Sequence, residues 1–219
     1  MTDIPAHYSE RQGLLFIISA PSGAGKTTLV RRLIDSLTGI TVSVSHTTRP
    51  QRKGETDGVD YFFIDDARFQ GMIDDGHFLE HARVFDYHYG TARDTVEQQL
   101  GNGHDVILEI DWQGARQVRA GMPDNISIFI APPSYEALVE RLHTRGREDD
   151  ATIARRLEEA VAELSHYQEY DYVIVNDDLD RALAELTTIV RAARLRVDCR
   201  RPSLDAFIQG LIAQARQIQ

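Results

Sequence analysis

Cysteine is almost absent from this chain: Cys199 stands alone among 219 residues. That excludes an intrachain disulfide and any multi-cysteine zinc site, and a single free thiol suits a reducing cytosol. No run of about 18 apolar residues occurs, so no segment is expected to span a membrane. The N-terminal stretch Met-Thr-Asp-Ile-Pro-Ala-His-Tyr-Ser-Glu-Arg-Gln is polar and lacks the basic start and apolar stretch of a secretory leader. A cytoplasmic location is therefore expected. A basic excess is lacking too. The chain carries 24 Lys and Arg against 34 Asp and Glu, a formal net charge of −10. General nucleic-acid binding, which needs cations against phosphates, is not expected of such a balance. Internal repeats, low-complexity tracts and long linkers are missing as well.

What is present is enough apolar sequence, 42%, to bury one substantial core. Short Ile- and Val-rich runs predict strands at residues 14–19, 105–110, 127–131 and 172–175. Continuous apolar runs of that kind suit parallel strands buried on both faces. Helical patterns fall between and after them, at 27–36, 94–101, 113–120, 134–144, 151–167 and 179–198. The alternation predicts an α/β fold with a parallel sheet, right-handed crossovers and helices on both faces. Residues 40–90 break that rhythm. Val42, Val44 and the run Tyr61–Ile64 suggest short, partly antiparallel strands, read as a small lobe inserted into the core. From Arg200 onward a proline-started amphipathic helix is expected, packed on the body or on another subunit; a homo-oligomer is left open.

The strongest local signal lies where the first strand ends. Ala20, Pro21, Ser22, Gly23, Ala24 and Gly25 form a glycine-rich turn, and a helix opens on Lys26, Thr27 and Thr28. Phosphates need many donors at short range. Gly23 and Gly25 let the backbone curl so that successive N–H groups face inward, and the helix N-terminus adds its positive end. Lys26 can then reach the β- and γ-phosphates, and the Thr27 hydroxyl can ligate Mg²⁺. Ala20 stands where the phosphate-loop pattern has its first glycine, the smallest departure available there. Two arginine groups, Arg49 with Arg52 and Arg141, Arg145, Arg147, Arg155 with Arg156, suggest local anion sites in an otherwise acidic chain.

The motifs Val44-Ser-His-Thr-Thr-Arg-Pro-Gln-Arg-Lys-Gly-Glu55, Phe78-Leu-Glu80, Tyr89-Gly-Thr91, Asp111-Trp-Gln-Gly114, Arg145-Gly-Arg147 and Ile174-Val-Asn-Asp-Asp178 occur in an order that resembles the guanylate kinases, bacterial type. The resemblance covers residues 14 to about 196. It implies a phosphate-loop (P-loop) nucleoside monophosphate kinase fold over residues 13–196. In that fold the core would be 13–39 and 92–196, with a mixed α/β GMP-binding lobe at 40–91 and an arginine-bearing helical lid at about 141–160. Residues 1–12 would be a polar extension and 197–219 a C-terminal helical one.

The resemblance further implies transfer of the γ-phosphoryl group of ATP to GMP, with dGMP as a second acceptor, in purine metabolism. It places guanine against Glu80, Ser45, Thr91 and Asp111, and the GMP phosphate against Arg49, Arg52, Tyr61 and Tyr89. Arg141, Arg145 and Arg156 become lid arginines with Lys26 at the moving phosphoryl group, and Asn176 lies near the adenine. Arg147, at the variable tip, receives no role. Glu109 departs from the aspartate the family often carries there. A carboxylate suits the N1–H and N2–H₂ donors of guanine, which adenine does not present. Two alternatives share parts of the pattern: a phosphopeptide-binding module of the same fold without catalysis, and a related kinase of another phosphorylated acceptor.

Overall fold

The computed structural model describes residues 11–84, 86–145 and 150–218. The chain enters through β1 (Leu15–Ser19), whose five residues are all buried, turns through the glycine loop into α1 (Lys26–Ser36), and returns as β2 (Ile40–Val42). A lobe follows: β3 (His46–Thr47), β4 (Phe62–Phe63), α2 (Asp66–Asp74), β5 (Phe78–Val84) and β6 (Tyr87–Ala92). The core resumes with α3 (Arg93–Gly101), β7 (Asp105–Glu109), α4 (Trp112–Gly121) and β8 (Asn125–Ala131). Then come α5 (Tyr135–Arg145), α6 (Asp150–Leu164), β9 (Tyr172–Val175), α7 (Leu179–Ala193) and α8 (Val197–Ile218).

The core sheet runs β2-β7-β1-β8-β9 and every pairing in it is parallel. Successive side chains of β1 serve opposite faces, as the period of a strand requires. Phe16 and Ile18 pack with Leu29, Val30 and Leu33 of α1 and with Ala182, Leu186 and Val190 of α7. Leu15 and Ile17 pack with Val96 and Leu100 of α3 and with Ala115 and Val118 of α4. Helices therefore cover both faces, as the alternation predicts. The lobe holds a separate mixed sheet of order β4-β3-β6-β5. Among the described residues no helix is long and apolar enough to cross a membrane.

Several boundaries differ from expectation. The lobe was expected to open at residue 40, but Ile40–Val42 pairs with β7 inside the core sheet, and Ile40 is buried there. The lobe sheet begins only at His46. Helix α2 carries no clear apolar period and went unpredicted. It starts because the Asp65 side chain accepts from Arg68 N–H at 2.7 Å, capping the first turn. Helix α6 ends at Leu164, three residues short of the expected 167, and Tyr167–Glu169 form a 3-10 turn.

The helix expected at 179–198 is two helices. Its apolar period runs on past Ala193, but Leu195 and Arg196 bond three residues back instead of four, and the Arg194 side chain donates from Nε to Asp105 at 2.7 Å and from Nη2 to Thr38 O at 2.9 Å. The last helix accordingly opens at Val197, ahead of Arg200 and of the proline expected to start it. Its first turn is fixed by Gln12, whose N–H donates to Cys199 O at 3.2 Å.

Asp105 closes this corner of the molecule. It is fully buried, accepts from Leu14 N–H at 2.9 Å and pairs with both Arg11 and Arg194. Replacing it by asparagine leaves two largely buried guanidinium groups uncompensated. The variant is expected to lose about 3 kcal/mol in urea unfolding at pH 7, within the range for a broken buried pair; a change below about 0.5 kcal/mol would contradict this account.

Candidate active site

The glycine loop behaves as its composition requires. Gly23 and Gly25 adopt φ of 90° and 96°, a region that side chains disfavour. Ala24 N–H donates to Pro21 O at 3.0 Å, and Leu29 N–H to Gly25 O at 3.1 Å, carrying the turn into α1. The methyl of Ala20 faces the core cluster beside Phe16 and Ile18, so the departure from glycine leaves the curl intact. One loop carbonyl, Ala24 O, also finds side-chain donors. Asn176 Nδ2 donates to Ala24 O at 2.7 Å, and Arg141 donates to the same oxygen at 3.3 Å and to Asn176 O at 3.1 Å. A Cβ on Gly25 would meet Asn176 Nδ2 at 2.3 Å, and one on Gly23 would press on Leu138 and Leu142 of α5. The loop is gripped from outside by Asn176, Arg141 and helix α5, and its other side lines open space.

That side is a cleft of about 610 Å³ between core and lobe. The loop lines it from Ala20 to Gly23, then with Gly25, Lys26 and Thr27; Ala24 and Thr28 do not reach it. Opposite, Ser45, Tyr61, Glu80 and Tyr89 come from the lobe, and Glu109 and Asp111 from the end of β7. Helix α6 adds Glu159 and Glu163. It is held on α5 by Leu138, Leu142, Leu157 and Ala160.

Glu80 is 4% exposed and accepts from Thr91 Oγ1 at 2.6 Å. Burial pushes its carboxyl up to about 7 against the opposing Thr91 bond, and the nearby Asp111 raises it further. The Ser45 hydroxyl lies 3.5 Å from that of Thr91, so the three side chains form one row. Asp111 caps α4, its Oδ1 accepting from Gly114 N–H at 2.8 Å. Glu163 is also pushed up to about 7, by burial first; Asp111 and Glu159 add to this, and Lys26 opposes it.

Arg49 is 6% exposed, donates from Nη2 to Glu55 at 2.6 Å and lies over the rings of Tyr61 and Phe63 at 5.5 and 5.7 Å. The second Glu55 oxygen accepts from Arg52 N–H at 2.7 Å. One carboxylate thus orders the arginine and the turn that follows it, and the arginine in turn holds the Glu55 carboxyl below its ordinary range. Tyr61 and Tyr89 stand edge to face, 5.8 Å apart.

A family model described as guanylate kinase matches residues 12–193. The chain belongs to the guanylate kinase family. Its members are nucleoside monophosphate kinases that phosphorylate GMP. The guanylate kinase of Methylococcus capsulatus is 57% identical over 92% of this chain and 98% of its own length. That of Alkalilimnicola ehrlichii is 54% identical over 91% and 98%. Among solved structures, the guanylate kinase from Anaplasma phagocytophilum is 36% identical and superposes with a TM-score of 0.73, covering 87% of this chain and 90% of that one.

The expected site residues do not all meet in the cleft. Thr91 is fully buried and spends its hydroxyl proton on Glu80. Arg141 turns beneath the phosphate loop, and Asn176 braces that loop with its amide. Arg156 lies half-buried on α6; Arg49 backs the cleft-lining ring of Tyr61, and Arg52 is exposed and outside the lining. The side chain of Arg145 and residues 146–149, with Arg147, lie outside the described residues. Sequence reasoning gave no role to Glu55 or Glu163. The Gly-Glu pair of the first lobe motif was a signal for Glu55, because a carboxylate three residues after an arginine can close a turn on it. Glu163 left no local signal; only the fold of α6 over the loop brings it to Lys26.

Proposed function

We propose that ATP lies with its phosphates in the loop at residues 20–27 and GMP in the lobe, and that the γ-phosphoryl group passes to the GMP phosphate, giving ADP and GDP. dGMP is expected as a second acceptor, and the role is purine nucleotide metabolism and GMP recycling in the cytoplasm. One observation carries the reading: a single cleft joins a phosphate loop to a buried carboxylate that is backed by two hydroxyls.

In this reading Glu80 accepts from guanine N1–H and N2–H₂, Ser45 serves O6, and Thr91 fixes the carboxylate. Asp111 stands close enough to Glu80 to raise its proton affinity, and adds a second acceptor near the base. Arg49, Arg52, Tyr61 and Tyr89 hold the GMP phosphate. Lys26, with the N–H groups of the loop, stabilises charge on the transferred group; the lid arginines Arg145 and Arg156 join it, while Arg141 acts from beneath the loop through Ala24 O and Asn176 O. The acceptor oxygen is already anionic, so the transfer needs no general base. Asn176 enters through the loop whose shape it maintains.

Mg²⁺ fits the donors present. It takes hard oxygen ligands, often one or two from protein, with phosphates and water completing its shell. The Thr27 hydroxyl would hold it directly, with the Glu109 carboxylate, on the strand that pairs with β1 just before the loop, orienting its water. When bound it would neutralise charge on the β- and γ-phosphates.

A coupled assay with ATP and Mg²⁺ tests the proposal. GMP and dGMP are expected as acceptors, while AMP, UMP and CMP fall at least about 10³-fold lower in kcat/KM, as expected of a site that must pair substrate N–H groups. Equal rates across the panel, or none with GMP, would refute it.

A further inference from the structure

Among the described residues, strand β5, which carries Glu80, is the outer strand of the lobe sheet, with β6 on one side only. An outer strand presents every second residue's N–H and C=O to open space. At His81, the residue after Glu80, both groups are taken by one side chain from another element. His81 N–H donates to Gln117 Oε1 at 3.1 Å, and Gln117 Nε2 donates to His81 O at 2.7 Å. The carboxamide thereby pairs with β5 as a residue of a neighbouring strand would.

Gln117 sits on α4, one turn after Gly114, and residues three apart share a helix face. Gly114 is the residue beneath the Glu80 carboxylate: a Cβ there would stand 2.5 Å from Glu80 Oε2. Leu79 packs with Ala115 and Val118 in the cluster along the same seam. That packing sets how near β5 lies to α4 but tolerates sliding. The paired bonds do not, since both break with a small shift along the strand. Since α4 starts at the end of core strand β7, the clamp registers Glu80 against the core as well as the lobe.

We propose that Gln117 is a positioning residue for guanine recognition: its side chain fixes the register of β5 on α4, and so the place of the Glu80 carboxylate. The inference rests on Glu80 reading guanine. Gln117 touches no substrate; its effect passes through the backbone of His81. The pairing needs a donor and an acceptor on one planar head at this reach. Glutamate offers no donor to His81 O, and leucine offers neither partner.

The test compares GMP with inosine 5′-monophosphate, which keeps N1–H and O6 but lacks the 2-amino group. Their ratio of kcat/KM reads the bond between Glu80 and that amine. Gln117→Leu is expected to lower kcat/KM for GMP about tenfold, as displacement of a positioning group does. Inosine monophosphate should fall far less, and KM for ATP should stay within about twofold. Gln117→Glu keeps the volume at an exposed position and is expected to lie between; urea midpoints establish that both variants are folded. In a Glu80→Gln background, Gln117→Leu should leave the ratio unchanged.

Equal losses on both acceptors, a parallel rise in KM for ATP, or an unaltered ratio in folded variants would overturn the proposal while leaving Glu80 as the reader. A ratio unaltered by Glu80→Gln itself would overturn the guanine assignment, and this proposal with it.

Discussion

Replacing Lys26 by alanine is expected to lower kcat by about 10³-fold, about 4 kcal/mol of transition-state stabilisation, while GMP binding remains measurable by calorimetry. The size follows from the chemistry. Phosphoryl transfer asks the protein for alignment and for charges fixed where the moving group needs them. The substitution is local because Lys26 does not build the loop. Gly23 and Gly25 provide the curl, and Asn176 and Arg141 both hold the Ala24 carbonyl. Its ammonium also opposes the burial that raises Glu163. Without it, that carboxyl holds its proton to still higher pH. Turnover within about tenfold of the parent would refute the role, and loss of GMP binding would show that the damage had spread to the lobe.

The phosphate loop was legible because everything that shapes it is local: a buried strand, two glycines and a helix start within a dozen residues. The alternating core was legible for a similar reason, since strands buried on both faces leave continuous apolar runs. What was not legible depends on partners distant in sequence. Asn176 and Ala24 lie 152 residues apart, and no pattern around either announces that the amide will brace the carbonyl. Thr91 matched a base-contacting position, yet its one hydroxyl proton goes to Glu80 once β5 and β6 pair. The break after Ala193 is invisible to periodicity because the apolar pattern continues through Leu195 and Val197, while the chain tightens to three-residue bonds at Leu195 and Arg196 and Arg194 is anchored on Asp105. The boundary of the lobe was misplaced since Ile40–Val42 is as short as the lobe strands, and only its pairing with β7 assigns it to the core.

Glu80→Gln carries the other large effect: kcat/KM for GMP is expected to fall about 10³-fold, with KM for ATP nearly unchanged. The amide retains an acceptor for one guanine N–H and sets its own N–H₂ against the other, leaving buried donors opposed. Charge makes the same point through pH. Guanine's donors select the ionised carboxylate, and burial holds the Glu80 carboxyl at about 7 in the free protein. Below that value kcat/KM for GMP should fall towards tenfold per pH unit, and the glutamine variant should keep only the limb that the GMP phosphate itself gives at about 6. Glu163 acts in the opposite sense: its ionised form repels the phosphates of ATP, so affinity for ATP should decline as pH rises through about 7. Asp111 raises both groups, so the two limbs belong to a coupled set.

Folding stability gives a check independent of turnover. As pH rises from 4.5 towards 7, the unfolded chain releases the Glu80 proton while the folded chain keeps it, so stability falls over that window. Glu80→Gln removes this loss, and its unfolding midpoint should exceed that of the parent at pH 8 and converge with it below pH 4.5. A variant that is less stable at pH 8 would show that burial does not hold this carboxyl protonated, and one that keeps the limb near pH 7 for GMP would show that it is not the group that meets guanine.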